Sequence, residues 1–479
     1  MFREKWVIIG IILLFELLLI AYIIPGKIVW ITLATGASAA LYFLFMARKA
    51  RRGRGGEAMG SILMLPIISV ILPIFYGWLT LYLGKLSLVT AILATALTVE
   101  FFTNFLAFPL SIYHKHLEME LIGKEVDHWP TVSIIVPAYN EEKVIDRCLE
   151  ALIEVDYPRK DIIVVDDGST DGTLQVARGY LDEGIKVFHR DKSGGKSAAL
   201  NMGILFAKGE IVVTCDADSM ICRRALRTVV KHFEDPEISA VAGNVKVLNR
   251  KNLATRCQAL EYIINENIYR RIFDVFGVVP VVPGPLAAFR KSVLEEVGRY
   301  DSDTLTEDFD ITVKALKTGK AVQALTDAYV YTEAPESWRD FIGQRLRWNR
   351  GTYQNLIKHR NVFGNPRFGY MTSLTFPYIA IAMVFIPLAS LVSIITVVLA
   401  FFMGYGLQVL IILVWFIFLY GTYSFLAIQL DDEDMKLLIY APLMVVGYKE
   451  LRHFIKMKSF IDVLLNREME WGKVTRLGE

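Results

Sequence analysis

The chain has 479 residues, of which 54% are hydrophobic, and its mean hydropathy is +0.40. That is too apolar for a soluble protein of this length with so few polar breaks. A formal net charge of +2 supplies no global attraction for polyanions, so no nucleic-acid partner is expected.

A bilayer span takes about 20 apolar residues. In chain order, Val7 to Ile24, Ile28 to Met46, Ile62 to Leu83 and Leu88 to Tyr113 qualify. No small-residue cleavage site follows the first run, so it reads as a span and not as a secretory signal. Arg48, Lys49, Arg51, Arg52 and Arg54 lie between the second and third spans, while the other two short loops offer only Lys27 and Lys85. The positive-inside rule therefore places this basic loop and the N-terminus in the cytosol. Four spans return the chain to the same side, which makes the polar middle section cytosolic. Glu16 and Glu100 fall within spans and must face protein or water, as channel lining or as interhelical hydrogen bonds.

Within the middle section, Thr131 to Pro137 is a β-branched run and reads as a buried strand. Ala138-Tyr139-Asn140-Glu141-Glu142 then opens an amphipathic helix that ends near Val155. Asp161 to Val165 is a second strand, ending in Asp166-Asp167-Gly168-Ser169. A helix from about Thr173 and a strand over Lys186 to His189 follow. Gly194-Gly195-Lys196 opens another helix, and Glu210 to Thr214 is a fourth strand ending in Cys215-Asp216-Ala217-Asp218. Strands alternating with helices predict a parallel, Rossmann-like sheet with right-handed crossovers. The four cysteines, Cys148, Cys215, Cys222 and Cys257, have no Cys-x-x-Cys spacing. That argues against a zinc site or disulfide scaffold and suits a reducing cytosolic compartment.

Ligands of such sheets bind at the carboxyl ends of the strands, where Asp166, Asp167, Asp216 and Asp218 converge. No Gly-x-Gly-x-x-Gly loop follows the first strand, and Gly195-Lys196-Ser197 lacks the spaced first glycine of a P-loop. Asp216-x-Asp218 puts two side chains on one side of an extended segment. These hard oxygen ligands suit Mg2+ or Mn2+ with a diphosphate completing the shell; the alternative is a solvated turn. Lys196, at a helix start, can meet phosphate through its charge and the helix N-terminus, or simply be solvated. Further on, Thr306-Glu307-Asp308 sets carboxylates at the start of a helix. A partly desolvated carboxylate there can act as a general base, while the plainer reading is a Thr306 N-cap with acids favouring the helix dipole.

Gln344-Arg345-Leu346-Arg347-Trp348 reads either as an amphipathic helix at the membrane surface or as a binding element. Arg347 would offer a planar donor fork to a phosphate, and Trp348 a flat apolar face to a sugar ring. Leu374 to Met403 and Val409 to Gln429 are two further spans. Leu437 to Tyr448 is apolar for only about a dozen residues, which favours an interfacial or re-entrant segment over a seventh span. Lys449, Arg452, His453, Lys456 and Lys458 then place the C-terminus in the cytosol.

The order of motifs resembles that of a known family. Pro137-Ala138-Tyr139-Asn140-Glu141, Asp166-Asp167-Gly168-Ser169, Gly195-Lys196, Asp216-Ala217-Asp218, Thr306-Glu307-Asp308 and Gln344 to Trp348 are similar to the membrane-embedded, processive glycosyltransferases of family 2. These are the cellulose, chitin, hyaluronan and poly-N-acetylglucosamine synthases. The resemblance covers roughly 130 to 350 closely, and the flanking spans in layout. It implies an α/β cytosolic domain of the Rossmann-like, glycosyltransferase-A type, inserted between bundles of transmembrane helices. The expected boundaries are four transmembrane helices over 1–114 with the basic loop at 47–56, and the transferase domain at 115–335. Amphipathic interface helices follow at 336–370, two more spans at 371–430, and an interfacial segment with a cytosolic tail at 431–479.

By resemblance, Asp308 is the base and Glu307 its catalytic neighbour. Tyr139, Glu141 and Asp167, or Asp166, hold the uridine; Asp216 and Asp218 hold Mn2+ or Mg2+ on the diphosphate, with Lys196 assisting. Gln344, Arg347 and Trp348 contact diphosphate and acceptor sugar, and Gly284-Pro285-Leu286 borders the acceptor pocket. Trp471, with Thr475 and Arg476, resembles in part the gating loop of hyaluronan synthases; the plain alternative is a frayed basic tail. The implied activity is inverting, metal-dependent transfer from a UDP-sugar to a growing polysaccharide at the plasma membrane, with UDP-N-acetylglucosamine preferred and UDP-glucose second. Single transfer to a lipid acceptor is the alternative among enzymes, and a nucleotide-sensing transporter or export partner the alternative outside them.

Overall fold

The computed structural model describes residues 107, 109–119 and 129–467. The first three predicted spans, most of the fourth, the basic loop at 47–56, Glu16, Glu100, and Trp471, Thr475 and Arg476 lie outside the described residues.

After a helix, α1 (109–119), the β-branched runs form β1 (Val132–Ala138), β2 (Lys160–Asp166), β3 (Lys186–His189) and β4 (Ile211–Thr214). They pair in parallel in the order β3-β2-β1-β4. The crossovers are α2 (Ile145–Glu154), α3 (Thr173–Arg178) and α4 (Lys196–Phe206). The segment from Tyr139 to Val144 is a turn, so α2 opens later than the sequence predicts; the amides of Val144 and Ile145 both bond back to Glu141 O at 3.0 Å.

The expectation of a parallel sheet is corrected in its second half. β5 (Ser219–Ile221), β6 (Ile238–Val247), β7 (Ala287–Arg290) and β8 (Ala321–Thr332) extend it to eight strands in the order β3-β2-β1-β4-β7-β6-β8-β5. β7 runs antiparallel to β4 and β6, β5 antiparallel to β8, and β6 parallel to β8. β7 enters directly from a 3-10 turn at Gly284–Leu286. Its sequence, Ala287-Ala288-Phe289-Arg290, has no β-branched residue, so propensity gave no sign of it.

The remaining helices are α5 (Ala225–His232), α6 (Leu253–Ile264), α7 (Arg271–Val275), α8 (Lys291–Glu296), α9 (Glu307–Lys317) and α10 (Trp338–Lys358). They are followed by α11 (Met371–Phe402), α12 (Gly406–Leu430), α13 (Ala441–Val445) and α14 (Tyr448–Leu464). Alternation along the strands divides the core. Ile134 and Val136 pack with Val164 and Val213 against α2 and α5, while Ile135 packs with Ile163 and Val212 against α4 and α9. Each such side chain, fully removed from water, contributes about 1.5–3 kcal/mol, so a sheet covered on both faces is strongly favoured.

Among the described residues, two helices are long and apolar enough to cross a membrane, Met371–Phe402 and Val409–Leu430. Along α11, Leu388, Val392, Ile395, Leu399 and Phe402 form one exposed apolar stripe at helical spacing. The end of α12 is clamped to the sheet. Asp431 meets Lys246 at 2.9 Å and the Tyr329 hydroxyl at 2.8 Å, while Glu433 meets Lys246 at 2.8 Å and Arg250 at 2.9 Å. The apolar stretch at Leu437 is a short 3-10 turn, Met435–Tyr440, running into the five-residue α13.

Candidate active site

The carboxyl ends of β1 and β2 lie side by side, with Ala138 in register with Asp166. Asp166 is fully buried and bound to His189 Nδ1 at 2.7 Å. Asp167, only 2% exposed, accepts from Ser193 Oγ at 2.7 Å, the amides of Gly194 and Gly195 at 3.1 and 2.8 Å, and the Arg190 guanidinium. It therefore builds the loop from Arg190 to Gly195 that leads into Lys196. Tyr139 is exposed above this edge, and Glu141 is held by its amide to Thr173 Oγ1 at 2.7 Å. Between them Asn140 sits at φ +55°, a left-handed conformation asparagine tolerates, with its Oδ1 accepting from Thr170 N at 2.7 Å.

Lys196 joins two of the predicted motifs. Its Nζ lies 2.6 Å from Asp216 Oδ1 and 3.1 Å from Glu307 Oε1. Burial alone would lower its pKa, but Asp216, Glu307 and then Asp308 outweigh this and raise it, so the ammonium is permanent. Gly284 is what leaves room for this pair: a Cβ there would lie 2.6 Å from Lys196 Nζ and 3.0 Å from each Asp216 oxygen. Gly284 O in turn accepts from Thr214 Oγ1 at 3.0 Å. Gly284 and Pro285 thus border the Asp216 side of the site.

Asp216 to Ser219 is a turn, closed by Ser219 N to Asp216 O at 3.0 Å, and not the extended segment expected. The reason is that β4 ends at Thr214 and the chain must reverse into β5. Asp218 is buried and oriented through Oδ1 by Ser219 Oγ at 2.9 Å and Thr332 Oγ1 at 3.4 Å. Asp218 is thus oriented by outer hydrogen bonds while Asp216 is ion-paired with Lys196, and both offer the oxygen donors that a hard divalent cation takes.

Thr306 precedes α9, but its side chain does not cap it. Thr306 Oγ1 instead accepts from Asn355 Nδ2 of α10 at 3.0 Å, which corrects the N-cap reading. Helix α10 reaches this loop because Gly351 presents no side chain; a Cβ there would meet Thr306 Oγ1 at 2.4 Å. Asp308 is half-buried and accepts from Phe309 N at 2.8 Å. Burial first, and the Glu307 carboxylate next, push its pKa up to about 6, against the opposing pull of Lys196, the Phe309 amide and Arg347. A carboxyl of that acidity is ionised at neutral pH and basic enough to take a proton. Two residues on, Asp310 is fully buried against His359 Nε2 at 2.7 Å and Lys358 Nζ at 2.9 Å. Lys358 also meets Asp301 and Asp303, so this second acidic cluster is an ion-paired joint between α9 and α10.

Gln344 is buried on α10, and Arg347 and Trp348 are half-buried. The reading of this helix as a membrane-surface element is corrected for two of its arginines. Arg345 is buried and paired with Glu261 at 2.9 Å, and buried Arg350 donates to Arg467 O at 2.7 Å. Charges spaced for a surface face are here neutralised within the protein because α6 and α14 cover the helix.

Sequence reasoning missed Asn140, Arg190, Gly351, Asn355 and Glu261. Asn140 carried a usable signal, since asparagine before a strand-to-helix turn favours the left-handed conformation. The others act only through contacts between distant segments.

The sequence profile of glycosyl transferase family 2 matches residues 133–298. The poly-beta-1,6-N-acetyl-D-glucosamine synthase of Staphylococcus epidermidis is 28% identical over 240 residues, 50% of this chain and 58% of that protein. That of Staphylococcus aureus is 28% identical over 235 residues, 49% of this chain and 57% of that protein. The chain thus spans little more than half the length of these curated relatives. A mannosyltransferase from Pyrobaculum calidifontis, solved with GDP-Man and Mn2+, shares the fold at a TM-score of 0.53. The two are 22% identical, over 76% of this chain and 96% of that one. The profile match takes in the strand-end carboxylates Asp166, Asp167, Asp216 and Asp218, so residues 133–298 are similar to glycosyl transferase family 2.

Proposed function

We propose that the protein moves a sugar from a UDP-sugar to a growing β-linked polysaccharide at the membrane, with inversion and with a divalent metal. The observation that carries this reading is Asp308, raised to about 6 and linked through Glu307 and Lys196 to Asp216. Base and donor-side carboxylates therefore share one site. In the proposed reaction, Asp308 takes the proton of the acceptor hydroxyl as its oxygen attacks the anomeric carbon. The bond from that carbon to the diphosphate breaks, and UDP leaves without needing a proton. Arg347 and Lys196 donate to the departing diphosphate, Tyr139 and Glu141 flank the uridine, and Trp348 supports the acceptor ring. Mn2+ or Mg2+, held by Asp216 and Asp218, would neutralise diphosphate charge when bound.

UDP-N-acetylglucosamine is the preferred donor, in keeping with the names of the curated relatives, and UDP-glucose the second. The exposed stripe of α11 supports contact with lipid, and the membrane bundle is the proposed exit for the product. The expected result is that full-length protein in detergent, given Mn2+ and radiolabelled UDP-N-acetylglucosamine, releases UDP and forms a polymer. EDTA should stop both. If no UDP-sugar yields UDP, the proposal fails; if the label stays on a lipid with one sugar, polymer synthesis fails.

Gly284→Ala tests the Lys196–Asp216 pair within this scheme. The added Cβ meets the flexible tip of Lys196, so the lysine yields and the backbone stays. The donor KM should rise about tenfold, the loss of roughly one charge-assisted hydrogen bond. An unchanged donor KM would remove this pair from donor binding.

A further inference from the structure

A single buried carboxylate on α6 ties the helix that carries Gln344 to Trp348, α10, to α14. Glu261, 5% exposed, accepts from Arg345 of α10 at 2.9 Å and from the Tyr448 hydroxyl of α14, and pairs with Arg452 of α14 at 3.3 Å. Burial would raise its pKa, but Arg345 and Arg452 hold it below the usual range, so it is ionised. The Arg345 guanidinium lies 4.4 Å from the centre of the Trp348 ring and 5.0 Å from that of Phe341. These residues are three ahead of and four behind Arg345, so the three side chains stack along one ridge of α10. Glu261 thus holds the guanidinium of Arg345, which in turn lies over the Trp348 ring.

We infer that Glu261 is a positioning residue for the acceptor, acting through Arg345 to hold the Trp348 ring in the orientation that receives a sugar. This rests on the proposed role of Trp348. A planar guanidinium pinned by a carboxylate removes the rotational freedom of the indole before the acceptor arrives, and preorganisation of this kind is read in acceptor affinity. The donor carboxylates Asp216 and Asp218 lie on other elements, so their hold on the donor does not run through Glu261.

The test uses full-length protein in detergent, UDP-N-acetylglucosamine, and a β-linked N-acetylglucosamine tetrasaccharide as acceptor. Glu261→Gln keeps the shape and removes the charge, while Arg345→Lys keeps the charge and removes the stacking plane. Each is expected to raise the acceptor KM about tenfold while leaving donor KM and acceptor-independent hydrolysis of the donor within about twofold. In a Trp348→Ala background, Glu261→Gln should have no further effect on the acceptor KM. If Glu261→Gln does not fold, Arg345→Lys carries the same test. An unmoved acceptor KM in the folded variants, or additive effects with Trp348→Ala, overturns the inference. Wild-type protein that releases no UDP from any UDP-sugar overturns the proposed function instead.

Discussion

Asp308→Asn is expected to lower sugar transfer by about 10^2–10^4-fold, the range supplied by a positioned general base. Asparagine preserves the shape of the side chain and its bond from the Phe309 amide, but cannot accept the acceptor's proton. UDP binding, measured by calorimetry, should survive because Lys196 still holds Asp216. The pH profile gives a second reading of the same residue. With its pKa near 6, Asp308 is protonated below that pH and cannot act as a base, so kcat/KM should fall about tenfold per pH unit there. Since the Glu307 carboxylate helps to raise Asp308, Glu307→Gln should move this acidic limb to lower pH. Full turnover by Asp308→Asn would remove the base from this position.

Gly351→Ala should disable the protein although alanine favours helix. In the middle of α10 the exchange gains about 1 kcal/mol of helix propensity. Against this, the new Cβ would lie 2.4 Å from Thr306 Oγ1 and 2.8 Å from Thr306 N. A backbone amide cannot rotate away as a lysine tip can, and overpacking of this kind costs about 1–3 kcal/mol. The loop carrying Glu307 and Asp308 must then part from α10, and Asn355 loses its grip on Thr306. A lower melting temperature and at least about tenfold slower transfer are expected, because small displacements of reacting groups are costly. Wild-type stability and rate in this variant would show that α10 does not seat the loop.

The two glycines therefore differ in kind. Gly284 faces the movable end of a side chain, and its replacement is read in donor binding. Gly351 faces backbone, and its replacement is read in both stability and rate.

The β-branched runs of β1, β2 and β4, the acids at their carboxyl ends and the apolar lengths of α11 and α12 were all determined by local sequence. Strand burial, turn chemistry and hydrophobic length depend on near neighbours, so a single chain displays them. The order of the motifs, down to Gln344 and Trp348, was equally legible. What only the tertiary structure decided is how distant segments meet. It made the second half of the sheet mixed, took Thr306 from its cap to Asn355, and buried Asp166 against His189. It also brought Arg345, whose spacing suited a membrane surface, to Glu261 across 84 residues of sequence. A lone arginine is more stable in water, and one beside a buried carboxylate is more stable inside. Sequence spacing alone does not distinguish these environments, because the partner's position exists only once three helices have packed.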